Sequence, residues 1–251
     1  LNYSNYGVEL LSSDNQEIIK KKSIDLINLN NKRKKIEQNI LNNLDYEKIK
    51  KENNNIIIYQ DNNIHEGLIG IIAARLKEYF NKPSIVITKS NDYLKASARS
   101  TSSYNVGHLI KLLIDKKIIE NGGGHNLAAG FSFKKRNIDL LRNFIEKDFL
   151  KKNINFDNSI KYDSEISISA INSQFLSEIS KLEPFGNKNS LPIFLIKNVK
   201  IIKSETIKNK HISVIVKPSI GPSIKSICFN SVNSKLGEYL LSYKKEINLI
   251  A

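Results

Sequence analysis

Apolar positions in the first fifty residues recur at helical spacing. Leu26, Leu29, Ile36 and Ile40 fall on one stripe at intervals of three, seven and four, the signature of an amphipathic helix. The pattern predicts one long helix over residues 15–52. Asp14 is its expected cap, with Glu17 three residues on completing a capping box. Asn53-Asn54-Asn55 breaks it. From there short apolar runs alternate with helical segments. Residues 56–59 read as a strand. Residues 67–80 are apolar nearly all round and predict a buried helix, stopped by Asn81-Lys82-Pro83. A strand is expected over 84–88. Residues 94–100 alternate small and polar side chains, as a strand with one functional face does. A helix over 106–116, a glycine-rich loop, a strand over 128–133 and an amphipathic helix over 138–150 complete the series. The order β-α-β-β-α-β-α predicts a layered α/β domain.

Residues 151–158 are polar and without period, and a domain boundary is placed there. Beyond it the chain turns β-rich, with strands expected over 164–168, 191–202, 211–216 and 224–229. Asn-Lys and Pro/Gly turns separate them. Several short strands in under a hundred residues suggest a small β-barrel of the OB type. The expected organisation is therefore a connector helix over 1–52, an α/β domain over 53–150 and an OB-like barrel over 160–251. No internal repeat is present.

Composition bounds the reading. The 251 residues, 40% of them hydrophobic, suffice for one large or two modest domains. No apolar run approaches the roughly 20 residues that cross a bilayer, and the polar start lacks a signal-peptide pattern. Cys228, between Ile227 and Phe229, reads as a buried thiol. One cysteine makes no internal disulfide, which suits a reducing cytosol and a cytoplasmic location. The sequence opens on Leu1, contains no Met and stops in an apolar run, so a partial gene product is expected. Net charge is +14, with 24 basic against 17 acidic side chains in residues 1–150 and 15 against 8 beyond. That excess fits a polyanion such as nucleic acid. It equally fits the Asn-, Lys- and Ile-rich bias of an AT-rich genome.

Three segments carry candidate chemistry: His65-Glu66-Gly67 with Arg75, Ser97-Ala98-Arg99-Ser100, and Gly122-Gly123-Gly124-His125. Glycines let a backbone approach a ligand and adopt positive φ, and their amides suit an anion. Arginine holds phosphate bidentately and stays charged when desolvated. Ser97 and Ser100 add neutral donors. Together these describe a phosphate clamp rather than a nucleophile with its base. Each segment also has a plain structural reading: a paired surface arginine, a strand edge, a tight turn. His108, at a helix start, and His211, on a barrel strand, read as structural. Hydrolysis of a phosphodiester by metal ions needs clustered Asp or His ligands, whereas Asp61, Asp92, Asp115 and Asp139 are scattered. No CxxC, P-loop or GxSxG motif occurs.

The stretch from His65 to Leu76, then Ala96-Ser97-Ala98-Arg99-Ser100, then Gly123-Gly124-His125 with Ala128-Ala129-Gly130 resembles the DHHA1 domain of the RecJ family. That family comprises bacterial single-strand-DNA-specific 5′→3′ exonucleases. Leu182-Glu183-Pro184-Phe185-Gly186-Asn187 with Pro192-Ile193-Phe194 resembles the start of the family's OB domain, and the segment from Asn5 to Leu11 the start of its connecting helix. Ile64 stands where an aromatic is common in the family, and Ala96 where Gly is frequent. The resemblance implies that a separate DHH domain holds Mn²⁺ or Mg²⁺ and hydrolyses the strand, with no metal bound by this chain. It implies that Ser97, Arg99 and Ser100 grip phosphate near the 5′ end, assisted by Arg75 and His65. His125 and the amides of Gly123 and Gly124 would face the scissile phosphate. Lys208, Lys210 and Lys225, with Phe185 as a stacking candidate, would track the strand on the OB domain. Implied partners are single-stranded DNA, the DHH domain, and a single-strand-binding protein or helicase, with no membrane. Two other readings stay open: a stand-alone single-strand binder, and a phosphoesterase acting on short oligonucleotides or cyclic dinucleotides. The long connector and OB-like tail argue against the second.

Overall fold

The computed structural model describes residues 5–52, 54–152, 154, 159–186, 188–242 and 245–251. They fall into two units, Leu1–Asp157 and Asn158–Ala251.

The N-terminal segment is three helices rather than one: α1 (Tyr6–Ser12), α2 (Gln16–Asn42) and α3 (Tyr46–Lys51). Asn15, not Asp14, caps α2, its side chain accepting the N–H groups of Glu17 and Ile18. The break after α2 turns Leu44 into the core beside Ile72 and Leu76, and Asp45 caps α3 by accepting from the Lys48 N–H. Burying a leucine contributes about 2 kcal/mol, more than an uninterrupted helical turn of Asn and Asp would.

A five-stranded sheet follows: β1 (Ile57–Gln60), α4 (Ile69–Phe80), β2 (Ser84–Ser90), β3 (Tyr93–Arg99), α5 (Val106–Asp115), β4 (Asn121–His125), β5 (Ala128–Lys134) and α6 (Ile138–Lys151). Its order is β1-β2-β3-β5-β4. Only the β1–β2 pair is parallel, as the α4 crossover requires; the other pairs are antiparallel. The expected glycine loop is β4, an edge strand, so the unit has one strand more than the apolar pattern foretold. None of Gly122, Gly123 and Gly124 has positive φ. On one face Leu94, Ala96, Ala98, Phe131 and Phe133 pack beneath Leu109 and Leu113 of α5 and Leu141 and Ile145 of α6. On the other, α4 covers Ile57 and Val86, and ends at Asn81 in the left-handed conformation.

The second unit holds β6 (Ser164–Glu165), α7 (Ser173–Ser180), β7 (Phe194–Ile207), β8 (His211–Pro218), β9 (Ile224–Cys228), α8 (Lys235–Ser242) and β10 (Glu246–Ile250). The strand order is β10-β7-β8-β9, with β6 parallel to β7. The long β7 pairs β10 through its first half and β8 through its second, with a register shift between Ile201 and Lys203. That sharing lets the sheet curl, as an OB-type fold needs. Ile212, Val214 and Val216 face a core closed by Ile168, Val199 and Leu240, with half-buried Cys228 against it. Helices α7 and α8 were not anticipated, and the apolar run at the end of the chain is the strand β10. No helix among the described residues is long and apolar enough to cross a membrane.

Candidate nucleic-acid interface

Directly paired residues of neighbouring antiparallel strands share a face of the sheet. The register of β3, β5 and β4 therefore lays out a surface in rows. Arg99 faces Ala128, which faces His125; Ser97 faces Gly130, which faces Gly123; Lys95 faces Ser132, which faces Asn121. Val86, opposite Ser97, is buried under α4, so these rows lie on the α4 side. That helix packs over β2 and β3 and leaves β5 and β4 open. Gly130 and all of β4 are exposed. The open part of the face is polar or small throughout.

Arg99 and Ser97 form a pair at its inner border. Arg99 Nη1 donates to Ser97 Oγ at 3.0 Å and to the Ala98 carbonyl at 2.8 Å. Because Ser97 Oγ accepts, its own proton remains to donate to a ligand. The first turn of α4 abuts the pair: a Cβ at Gly70 would sit 2.9 Å from Arg99 Nη2 and 3.1 Å from Ser97 Oγ. That turn has no side-chain cap, which adds the positive end of a helix dipole. His65 lies just before α4, exposed, its Nδ1 accepting the Gly67 N–H at 3.0 Å. Beside it the Glu66 carboxylate accepts from Lys95 Nζ at 2.7 Å and from the Ser90 hydroxyl at 2.7 Å. These bonds, that to Lys95 foremost, hold Glu66 below the usual carboxylate range. His125 ends β4 with an exposed ring, its Nδ1 accepting from the Leu127 N–H at 3.4 Å.

The three consecutive glycines divide by face. A Cβ on Gly122 would come within 2.8 Å of Phe131 Cβ and 2.9 Å of Ile110, and one on Gly124 would overlap the backbone of Ala128 and Ala129. Packing therefore requires glycine at 122 and 124. At Gly123, on the open face, a Cβ would meet nothing within 4 Å, and at Gly130 only a carbonyl at 3.9 Å. The fold does not need glycine there, and the bare backbone leaves room for a ligand to lie flat on the sheet.

Two expected clamp residues are elsewhere. Ser100 is 4% exposed and its hydroxyl donates to the Tyr104 carbonyl at 2.6 Å, so its proton secures a turn and is not available to a phosphate. Arg75 donates through Nε to Glu37 at 3.0 Å and through Nη1 to Glu78 at 3.0 Å. The two carboxylates, hydrogen-bonded to it, raise its pKa. Its guanidinium ties α4 to α2 and is not presented to the Ser97–Arg99 pair. Sequence reading missed Gly70, Lys95 and Gly130. The period of two over residues 93–99 was the available signal for Lys95, which it places on the face of Ser97 and Arg99. In the second unit, Lys208 and Lys210 belong to the β7–β8 turn, where Lys208 and Asn209 have φ of 51° and 50°. Lys225 is exposed on β9. Phe185 is half-buried in the turn after α7, which Asn189 closes through bonds to the Leu182 and Pro184 carbonyls. Among the described residues no group of three or more His, Cys, Asp or Glu could hold a metal ion, so the donors present do not fit a hydrolytic metal centre.

Residues 53–151 match the DHHA1 domain model and residues 162–250 the RecJ OB domain model. A single-stranded-DNA-specific exonuclease RecJ from Haemophilus influenzae is 27% identical over 96% of the chain, which covers 45% of that relative. The crystal structures of Thermus thermophilus RecJ with Mn²⁺ and with Mg²⁺ share the fold. Their TM-scores are 0.69 and 0.65 at 18% and 19% identity, over 90% of this chain and 35% and 37% of theirs. The chain spans between 34% and 45% of the length of four curated RecJ relatives that it matches over 73% or more of its own sequence. With both domain models matched in order and RecJ relatives aligned along nearly its whole length, the chain belongs to the RecJ family.

Proposed function

We propose that this chain is the DHHA1–OB portion of a single-strand-specific 5′→3′ exonuclease of DNA repair and recombination, working in the cytoplasm. In this reading residues 1–52 connect to a DHH domain, 53–150 form the DHHA1 domain and 160–251 the OB domain. The DHH domain supplies the Mn²⁺ or Mg²⁺ that activates water. This chain's residues bind and orient the strand. Arg99 neutralises a phosphate near the 5′ end through charge-assisted bonds, and Ser97 donates its remaining proton to the same group. The bare backbone at Gly123 and Gly130 lets the sugar–phosphate chain lie against the sheet. His125 and the Gly123 and Gly124 segment face the phosphate to be cut, where fixed donors stabilise developing charge. His65 flanks the entry, and Lys208, Lys210 and Lys225 follow the strand on the OB domain.

The observation that carries this reading is the open glycine at 123, in one row with Gly130 and Ser97 of the Ser97–Arg99 pair: a glycine that packing does not require, on a face with two phosphate donors. The test is binding of 5′-phosphorylated and 5′-hydroxyl single strands to the chain and to Arg99→Ala. The phosphorylated strand is expected to bind about tenfold more tightly, the worth of one charge-assisted bond pair, and the variant to lose that preference. Equal binding of both strands, unchanged at Arg99, would instead leave a general single-strand binder.

A further inference from the structure

Outside the DHHA1 face, the most exposed aromatic side chain among the described residues lies in the second unit. Phe229, one residue beyond β9, is 69% exposed. Its ring meets that of His211 edge-on, with centroids 5.3 Å apart and planes at 77°. The His211 ring is itself anchored, since its Nδ1 accepts the Asn230 N–H at 2.9 Å. The surroundings follow from the register. Ile212, Val214 and Val216 face the core, so His211, Ser213 and Ile215 lie on the opposite face, where Ser213 is itself buried and the half-buried His211 marks the open end. Across the sheet Lys203 faces Ile215, which faces Lys225; Glu205 faces Ser213, which faces Ile227; Ile207 faces His211. Ile227 is 45% exposed and adjoins this aromatic end. The Lys208–Lys210 turn closes on the Ile207–His211 pair at the same end. Glu205 is the one acidic group in these rows, and Lys203 engages it at 3.0 Å.

A single exposed apolar residue is ordinary. Here an anchored pair of rings adjoins an exposed isoleucine and the Lys208–Lys210 turn, with Lys203 and Lys225 further along the same face at Ile215 and the one acid of the rows already paired. A protein partner's apolar face would find too little greasy area. A strand of nucleotides presents the complement, flat π-faces alternating with negative charge. We infer that Phe229, supported edge-on by His211, is a base-stacking step on the outer face of the second unit. Lys225 and the turn lysines Lys208 and Lys210 take the adjoining phosphates. This site, rather than half-buried Phe185, is then the aromatic element of strand tracking. The inference rests on the single-strand reading given under Proposed function.

The chain contains no tryptophan, so Phe229→Trp installs a sole indole on the step. The intact chain is titrated with an oligothymidylate and with an abasic oligomer of equal length, which keeps the phosphates and lacks the bases. Quenching of the indole emission of Phe229→Trp by the oligothymidylate and not by the abasic oligomer is expected. Phe229→Leu, which keeps apolar bulk and removes the ring, should weaken oligothymidylate binding about tenfold and leave abasic binding unchanged. Wild-type affinity in Phe229→Leu, or equal quenching by both oligomers, overturns the stacking step while the single-strand reading stands. Failure of the unsubstituted chain to bind either oligomer at low salt overturns both.

Discussion

Arg75 and Arg99 are the same residue type in segments of equal promise, yet one is structural and the other stands at the open face. Arg75 is engaged by Glu37, 38 residues away, and by Glu78, and the first partner is invisible to any local pattern. Arg99 is placed by contacts two residues away and by Gly70. The Gly70 contact yields a prediction with opposite signs in two measurements. A Cβ at 70 would press on Arg99 Nη2, the far end of a flexible side chain, so the fold can yield. Alanine also gains about 1 kcal/mol over glycine inside a helix. Gly70→Ala should therefore melt at the same temperature as the parent or higher. The displaced guanidinium should nevertheless lose most of the preference for 5′-phosphorylated strands. Equal melting with intact preference would show that Gly70 does not position Arg99. Ser100 carries the same lesson as Arg75: its place beside Arg99 in sequence suggested a donor, and its carbonyl partner, Tyr104, has consumed it.

The elements themselves were largely legible, because period alone decides them. Helices α4, α5 and α6 and strands β2, β3 and β5 lie where their apolar positions put them. The misses have physical causes. Asn121-Gly122-Gly123-Gly124-His125 has almost no side chains to show a period, and only pairing with β5 makes it a strand. The connector's pattern does not betray its break because Leu44, four residues after Ile40, continues the same stripe; only its burial beside Ile72 and Leu76 of α4 goes with the turn of the axis. Strand β10 was hidden because its partner, β7, lies about fifty residues earlier. The face assignment within β4 is testable with paired alanines. Gly124→Ala forces a methyl into the backbone of Ala128 and Ala129, and overpacking of this kind costs about 1–3 kcal/mol. Gly123→Ala meets open space and should leave thermal stability unchanged. Its methyl would stand in the path proposed for the strand, so single-strand affinity should fall several-fold in Gly123→Ala without any change in melting. If Gly123→Ala binds as the parent does, the open glycine has no part in ligand contact.

For the whole molecule the question left by composition is whether the +14 charge serves a polyanion or merely records a lysine-rich vocabulary. Exposed lysines that touch nothing leave no mark on salt dependence, whereas each phosphate contact releases counterions. For single strands the slope of log K against log salt is roughly −0.7 per phosphate neutralised. Only charges that meet phosphate are counted, so the slope should fall far short of the net charge. Arg99→Ala and Lys225→Ala separate the two units' contributions. Each should reduce the slope's magnitude by about 0.7, since each would remove one proposed phosphate contact. Only the first should abolish the 5′-phosphate preference, because Lys225 would meet the strand along its length and not at its end. A slope near zero in the parent chain would assign the charge to composition. A steep slope unmoved by either substitution would place the strand on other lysines, and the Ser97–Arg99 face would lose its claim to the phosphate.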